Sequence, residues 1–296
     1  MPNNGVSKSL NCDRLYLLNL KFKPDYMRSC FIIGAGRSGT SLTAALLRKE
    51  GYYYGEDIIP ENPDNPIGYY ESWDINNLNE IILSNYLPQR PFKFLSNIFF
   101  QSRLAHGHRW LAKIDEETNV ISSEKDVLER IDIYLRKQRF CYKDPRFSFT
   151  LPVWLSRLPS TLTNKIVIIC LVRNPLSSTK SMVRKIQKDT RRRNIILKFD
   201  ENDALESWKS SYKHILKNFK KFNDLTWLFV NYEDLLNNDS FGELENALNT
   251  SLDKSIIDPN LNHSTSSELI LDNEASMLYE KLISLTKTSN LKSFNI

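Results

Sequence analysis

Two rhythms of apolar residues alternate along this chain. Short unbroken apolar runs have the length of strands, and between them apolar residues return every three or four positions, as on a helix face. The strand-like runs are Ser29–Ile33, Tyr52-Tyr53-Tyr54, Phe140–Lys143, Lys165–Val172 and Thr226–Tyr232. The helical stretches are about 40–50, Glu71 to about Ser84, Glu124–Lys137, Phe147–Leu158, a stretch opening at Pro175, Asn202–Phe222 and about Glu274–Thr286. In the last of these, Met277, Leu278, Leu282 and Leu285 are expected to pack inward. Strands apolar on both faces, alternating with amphipathic helices, predict an α/β fold. Its form is a P-loop-type parallel sheet flanked by helices on both faces. Residues 1–27 have mixed polarity and read as an N-terminal extension, with Leu15–Leu20 unassigned. Residues 28–296 are expected to form a single α/β domain.

The break between the first strand and the first helix carries chemistry. Gly34-Ala35-Gly36-Arg37-Ser38-Gly39-Thr40-Ser41 is a glycine-rich turn leading into a helix. Such a turn points backbone N–H groups at an anion, and the hydroxyls of Thr40 and Ser41 add donors. A Walker loop requires Gly-Lys-Ser/Thr. Here Arg37 precedes Ser-Gly-Thr-Ser and the loop has no lysine, which disfavours a Mg-nucleotide hydrolase but not phosphate binding. A turn serving packing alone is the competing reading.

Composition narrows the classes little. The chain has 296 residues, 41% hydrophobic and 25% charged, which suits a globular protein with a full core. No apolar run approaches the ~20 residues of a membrane helix. With no signal peptide in evidence, a cytoplasmic protein without an integral membrane segment is expected. The net charge of +5 suits an anionic ligand and does not argue for nucleic acid. Cys30, Cys141 and Cys170 fall in strand-like runs and read as packed thiols. His106 and His108 lie in a loop and read as surface residues, and no metal site is expected. Nothing in the pattern sets an oligomeric state.

Basic residues close several apolar strands. Arg37 follows the first, Lys143 ends another and Arg173 a third, while Tyr232 ends a fourth. Strand exits are where an open parallel sheet places its ligand. The basic run Arg184–Arg193 reads equally as a solvated helix face or as an electrostatic funnel. From Leu87 to Asn119 the periodic signal is poor, and Phe92, Phe94, Phe99, Phe100 and Trp110 are expected to pack under loops rather than to line a cleft.

Together these segments resemble the sulfotransferases that use 3′-phosphoadenosine 5′-phosphosulfate (PAPS). Gly36–Ser41 resembles the family's 5′-phosphosulfate loop. Arg173, with Ser181 eight residues later, resembles its 3′-phosphate pair. Lys143-Asp144-Pro145 is similar to the segment that supplies a catalytic lysine in tyrosylprotein-type members, and Tyr232-Glu233-Asp234-Leu235 to a strand-end segment whose tyrosine reaches the cofactor. Gly55 to Glu71 is similar to a broad group of bacterial members. The resemblance covers about residues 28–236. A late Arg-Lys-Gly cofactor loop, as in cytosolic members, has no counterpart near the C-terminus.

The resemblance implies sulfuryl transfer from PAPS to a hydroxyl-bearing acceptor: a carbohydrate, lipid, peptide or small metabolite. Gly36, Arg37, Ser38, Gly39, Thr40, Ser41, Arg173, Ser181, Lys185 and Tyr232 are then the candidate cofactor residues. Arg37 and Lys143 supply catalytic charge, since fixed cations offset charge on a transferring group. Glu56, Asp57 and Glu71 compete as the general base, with Glu56 and Asp57 ranked ahead of Glu71. A P-loop nucleotide or small-molecule kinase is the alternative.

Overall fold

A computed structural model describes residues 27–62, 65, 67–91, 93–257 and 270–292. Four parallel strands form its sheet: β1 (Ser29–Ile33), β2 (Cys141–Lys143), β3 (Ile166–Val172) and β4 (Thr226–Asn231), in the order β2-β1-β3-β4. Phe31 faces Tyr142 on one side and Ile168 on the other, and Ile169 faces Leu228. The helices are α1 (Thr40–Ala45), α2 (Trp73–Ser84), α3 (Lys93–Phe99), α4 (Lys125–Leu135), α5 (Phe147–Leu155), α6 (Pro175–Arg193), α7 (Glu201–Lys221), α8 (Tyr232–Leu236), α9 (Phe241–Leu248) and α10 (Asn273–Lys292).

The strand pleat explains the layers. Successive side chains point to opposite faces. Phe31, Ile33, Ile168, Cys170 and Val172 enter a core shared with α2, α4, α5 and α7. Cys30, Ile32, Val167, Ile169 and Leu171 enter a second core with α1 and α9. Both faces are therefore covered, which is why these strands read as continuous apolar runs. Cys30, Cys141 and Cys170 are fully buried free thiols.

Several elements start and stop where local chemistry dictates. The Ser72 side chain accepts from Asp74 N–H and caps α2, and Asn174 caps α6 with Pro175 in its first turn. Asp200 and Asp203 form a reciprocal capping box on α7. The first helix is shorter than expected. After Ala45 the chain tightens into turns, with Leu47 N–H on Ala44 O and Arg48 N–H on Ala45 O, until Gly51 turns it at φ 70°.

Other expectations change. Tyr52-Tyr53-Tyr54 is not a full strand: Tyr53 makes one parallel bridge to Phe140, and Gly55 at φ 115° then turns the chain away. Met277 is 62% exposed while Leu278 and Leu282 are buried, because the helical step puts Met277 on the outer face of α10. Leu15–Leu20 and Phe92 lie outside the described residues. No helix among the described residues is long and apolar enough to cross a membrane.

Candidate active site

The glycine loop leaves β1 at its carboxyl end and is held from three sides. Inside it, the Ser38 hydroxyl donates to Ala35 O at 2.7 Å. Outside it stand two rings. A Cβ on Gly36 would lie 2.2 Å from the Trp110 ring, and one on Gly39 would lie 2.3 Å from the Tyr232 ring. Only glycine permits either approach. Arg37 takes φ 67°, a left-handed conformation costly for a branched-chain-free but bulky residue. That conformation sends its side chain toward α6 rather than toward Lys143.

Arg37 becomes the centre of one cluster. Its Nε donates to Ser181 Oγ at 3.0 Å, and its carbonyl accepts from Arg173 Nη1 at 3.1 Å. The Arg173 guanidinium lies 4.3 Å from the centroid of the Tyr232 ring. Burial, then the charge of Arg173 and more weakly that of Arg184, push the Arg37 guanidinium below its ordinary value, while Tyr69 and Tyr232 work the other way. An arginine does not give up its proton in a protein, so this shift is an unfavourable field around a fixed cation. Among the described residues neither Arg37 nor Arg173 forms an ion pair with a carboxylate. Arg173 Nε and Ser178 Oγ are buried without a hydrogen-bond partner. Lys185, one turn beyond Ser181, donates to Asp189 at 2.9 Å and reaches the Tyr69 hydroxyl at 3.3 Å. Tyr69, on the segment that leads into α2, thus stands over this side.

Lys143 anchors a second cluster at the other end of the loop. It is 2% exposed, donates to Ser41 Oγ at 3.1 Å, and forms a salt bridge with Glu71. Glu71 also accepts from Asn76 Nδ2 at 2.8 Å. Burial alone would raise the Glu71 carboxyl. The charge of Lys143, hydrogen bonds from Lys143 and Asn76, and the field of Arg146 outweigh burial and lower it. Behind this pair, Asp144 accepts from Arg146 at 2.9 Å and from Asn79 at 2.8 Å. Arg146 reaches Glu80 at 2.6 Å, and Arg109 reaches Glu80 at 2.9 Å. Burial, opposed by Arg146, raises the Asp144 carboxyl to about 6.

A sheet-edge loop of this form, with cations at both ends, binds anionic groups on many scaffolds. Sequence comparison decides which family it serves here. The model of the sulfotransferase family matches residues 30–249. The chain belongs to the sulfotransferase family. It is therefore an enzyme of the class that transfers sulfate. Solved structures similar to it include the sulfotransferase domain of the Synechococcus PCC 7002 olefin synthase, at 18% identity and TM-score 0.47, covering 88% of this chain and 98% of that one. The sulfotransferase domain from the curacin biosynthetic pathway is similar at 16% identity and TM-score 0.49, covering 88% and 99%. A sulfotransferase from Alicyclobacillus acidocaldarius gives 15% identity and TM-score 0.36, covering 89% and 93%. Among curated proteins, none matches this sequence.

For this sulfotransferase the three candidate carboxylates separate sharply. Glu56 has 63% of its side chain exposed, against 11% for Glu71. It accepts from the Tyr53 hydroxyl at 2.6 Å and pairs with Lys137 at 3.5 Å, away from Lys143. Asp57 is exposed, and its carbonyl accepts from Trp73 N–H at 3.0 Å. Glu71 alone of the three touches Lys143. The basic run divides as well: Lys185 reaches Tyr69 beside the loop cluster and Arg184, though exposed, adds its charge to the field on Arg37, whereas Arg191, Arg192 and Arg193 are exposed at the end of α6.

Some residues of this site gave little warning. Asn76, Asn79 and Glu80 sit on the buried face of α2, where Asn79 also accepts from Thr150 at 2.8 Å and from Trp154 Nε1 at 2.9 Å. Polar residues at core positions of an amphipathic helix were the available signal. His108 is a correction. It is 1% exposed rather than at the surface, both ring nitrogens lack partners, and burial followed by the charge of Arg193 lowers it to about 4. The chain folds back at Gly107, whose carbonyl accepts from Arg146 at 3.2 Å, and this draws His108 inside.

Proposed function

We propose that the chain transfers a sulfuryl group from PAPS to an acceptor hydroxyl. The observation that carries this reading is the Arg37–Arg173–Ser181 cluster. Two arginines share a half-buried corner, one with a buried, orphaned Nε, beside the Ser181 hydroxyl. A dianionic phosphate would offset their mutual repulsion and accept from the orphaned Nε. The residues therefore fit the 3′-phosphate, and Lys185 and Tyr69 stand at the rim of the same corner. Tyr232 and Trp110 flank the loop with flat apolar surface. The loop backbone with Thr40 and Ser41 is assigned to the 5′-phosphosulfate.

Lys143 is assigned to the bridging and sulfuryl oxygens, where negative charge gathers as the S–O bond to the phosphate breaks. We assign the general base to Glu71, reversing the order expected from position along the chain. Its support is burial and direct contact with Lys143, neither of which Glu56 or Asp57 has. The reaction then balances simply. The acceptor oxygen bonds to sulfur, its proton passes to Glu71, and the phosphate oxygen leaves with adenosine 3′,5′-bisphosphate. In the ligand-free protein Glu71 is a weak base, because Lys143 holds its carboxyl low. When Lys143 turns to the donor's oxygens, that hold weakens and Glu71 gains basicity. The carboxylate is thus released for proton transfer when the donor is in place.

Labelled PAPS incubated with the protein and a cell extract, followed by identification of the labelled product, tests this function and reads the acceptor class. Glu71→Gln is expected to abolish labelling while keeping affinity for the bisphosphate, and Glu56→Gln to leave labelling near normal. Loss of labelling in Glu56→Gln or Asp57→Asn, with Glu71→Gln active, would move the base to the second-strand exit.

A further inference from the structure

We propose that the outer face of α3 docks this protein onto an anionic membrane surface. The helix turns its apolar side outward. Phe94 is 76% exposed and Phe99 72%, and Leu95 and Ile98 on the same face are exposed too. Their spacing of one, four and five residues puts them on one side of a helix. Ile196 extends the patch from the neighbouring segment. Phe94 and Phe99 were expected to pack under loops, so their exposure is a feature of the folded chain rather than of its composition. Exposed large apolar residues that gather in one patch mark interaction surfaces.

The patch is held in place. Asn97 Oδ1 accepts from Ile196 N–H at 3.0 Å, and Asn97 Nδ2 donates to Asn194 O at 3.3 Å. Arg90 Nη2 donates to Ile196 O at 2.7 Å, and Lys198 N–H to Gln101 O at 2.8 Å. The helix and residues 194–198 therefore form one unit. A groove of about 290 Å³ runs beside it, lined by Thr190, Arg191 and Asn194 to Leu197.

Charge identifies the occupant. No Asp or Glu lies between Glu80 and Asp115, nor between Asp189 and Asp200, the two stretches that build the patch. The same stretches hold Arg90, Arg103, Arg191, Arg192, Arg193 and Lys198. Apolar side chains borne on stretches whose only charges are positive combine the two signals that bind a protein to an anionic bilayer interface. A second copy of this chain would bring the same positive charge against itself. Residues 1–26 carry Lys8, Arg14, Lys21 and Lys23 against Asp13 and Asp25, so they do not complement that charge, and residues 258–269 offer little apolar surface.

Cosedimentation of the full chain with phosphatidylcholine vesicles, with and without phosphatidylglycerol, tests the proposal. Binding is expected to the anionic vesicles alone and to fall as salt is raised. Phe94→Ser/Phe99→Ser and, separately, Arg191→Ser/Lys198→Ser are each expected to weaken it on the order of ten-fold, at unchanged melting temperature. No binding to anionic vesicles, equal binding to neutral ones, or full binding by the phenylalanine variant overturns the proposal. So does a dimer in sedimentation velocity that the phenylalanine variant abolishes, which would make the occupant a second copy.

Discussion

Lys143 is a buried cation and Arg37 a half-buried one at the same glycine loop, and their surroundings differ in kind. Lys143 is neutralised within the chain by Glu71, whose second oxygen is held by Asn76, and a further network of Asp144, Arg146, Glu80 and Asn79 stands behind. Arg37 meets another arginine and a serine instead. The first arrangement is complete without a ligand; the second gains most from an incoming anion. Under the function proposed above, the two surroundings suit two tasks: holding a fixed dianion at Arg37 and Arg173, and exchanging partners during reaction at Lys143.

The largest effect should come from breaking the paired side. Lys143→Met leaves a buried carboxylate, and Glu71→Gln leaves a buried ammonium. Each is expected to cost about 3–5 kcal/mol in stability. The double variant Lys143→Met/Glu71→Gln should cost much less than the sum, because it leaves no uncompensated charge. Denaturant titrations of the four proteins measure the cycle, and additive losses would show that the two side chains do not act as a pair.

On the arginine side the effect should appear in binding. Arg173→Ala is expected to reduce affinity for adenosine 3′,5′-bisphosphate by about 1.5–3 kcal/mol while barely changing affinity for adenosine 5′-monophosphate. Calorimetric titration with both ligands makes the distinction. Equal losses would assign Arg173 to another part of the nucleotide or to the fold.

The loop between the two sides should be intolerant of a methyl group where a ring stands. Gly39→Ala meets the Tyr232 ring at 2.3 Å from a left-handed backbone, and is expected to cost about 1–3 kcal/mol. Gly51→Ala, also left-handed but with nothing within 4 Å, should cost only the backbone strain of about 1 kcal/mol. Thermal unfolding of both variants compares steric and conformational contributions.

Much of this fold was legible from the sequence. Buried strands in a parallel sheet are apolar on both faces, so β1, β3 and β4 stand out as runs, and Asn174-Pro175 announces the start of α6. The basic residues at strand exits were legible for the same reason, since the strand pattern locates its own end. The partners were not. Glu71 and Lys143 lie 72 residues apart, and no local period links them. Glu56 and Asp57 looked better placed because they follow a candidate strand, but that strand is one bridge long and Gly55 turns it outward. Phe94 and Phe99 were misread because composition tells how apolar a residue is, not whether its helix has a neighbour on that side.

The smallest expected effect is on stability against pH, because the two carboxylates beside Lys143 act in opposite senses. Asp144 holds its proton more tightly in the folded chain, at about 6 against an ordinary 3.8, so its contribution makes the protein less stable as pH rises from about 4 to 6. Glu71 holds its proton less tightly when folded. The stability it contributes is present above its ordinary value of 4.5 and is lost as pH falls through its lower folded value. Melting temperatures between pH 3 and 7, roughly spanning both windows, should show a smaller loss from pH 4 to 6 in Asp144→Asn than in the parent. An unchanged profile would remove Asp144 as a titrating group.

The central claim is that Arg37, Arg173 and Ser181 receive the 3′-phosphate of a sulfuryl donor. Thermal unfolding with adenosine 3′,5′-bisphosphate, adenosine 5′-monophosphate or ATP with Mg²⁺ tests it most directly. The bisphosphate should raise the melting temperature most, by a shift equivalent to about 2.7 kcal/mol when present at ~100 times its dissociation constant. Stabilisation by ATP with Mg²⁺ and not by the bisphosphate would contradict the account and favour a kinase on the same scaffold.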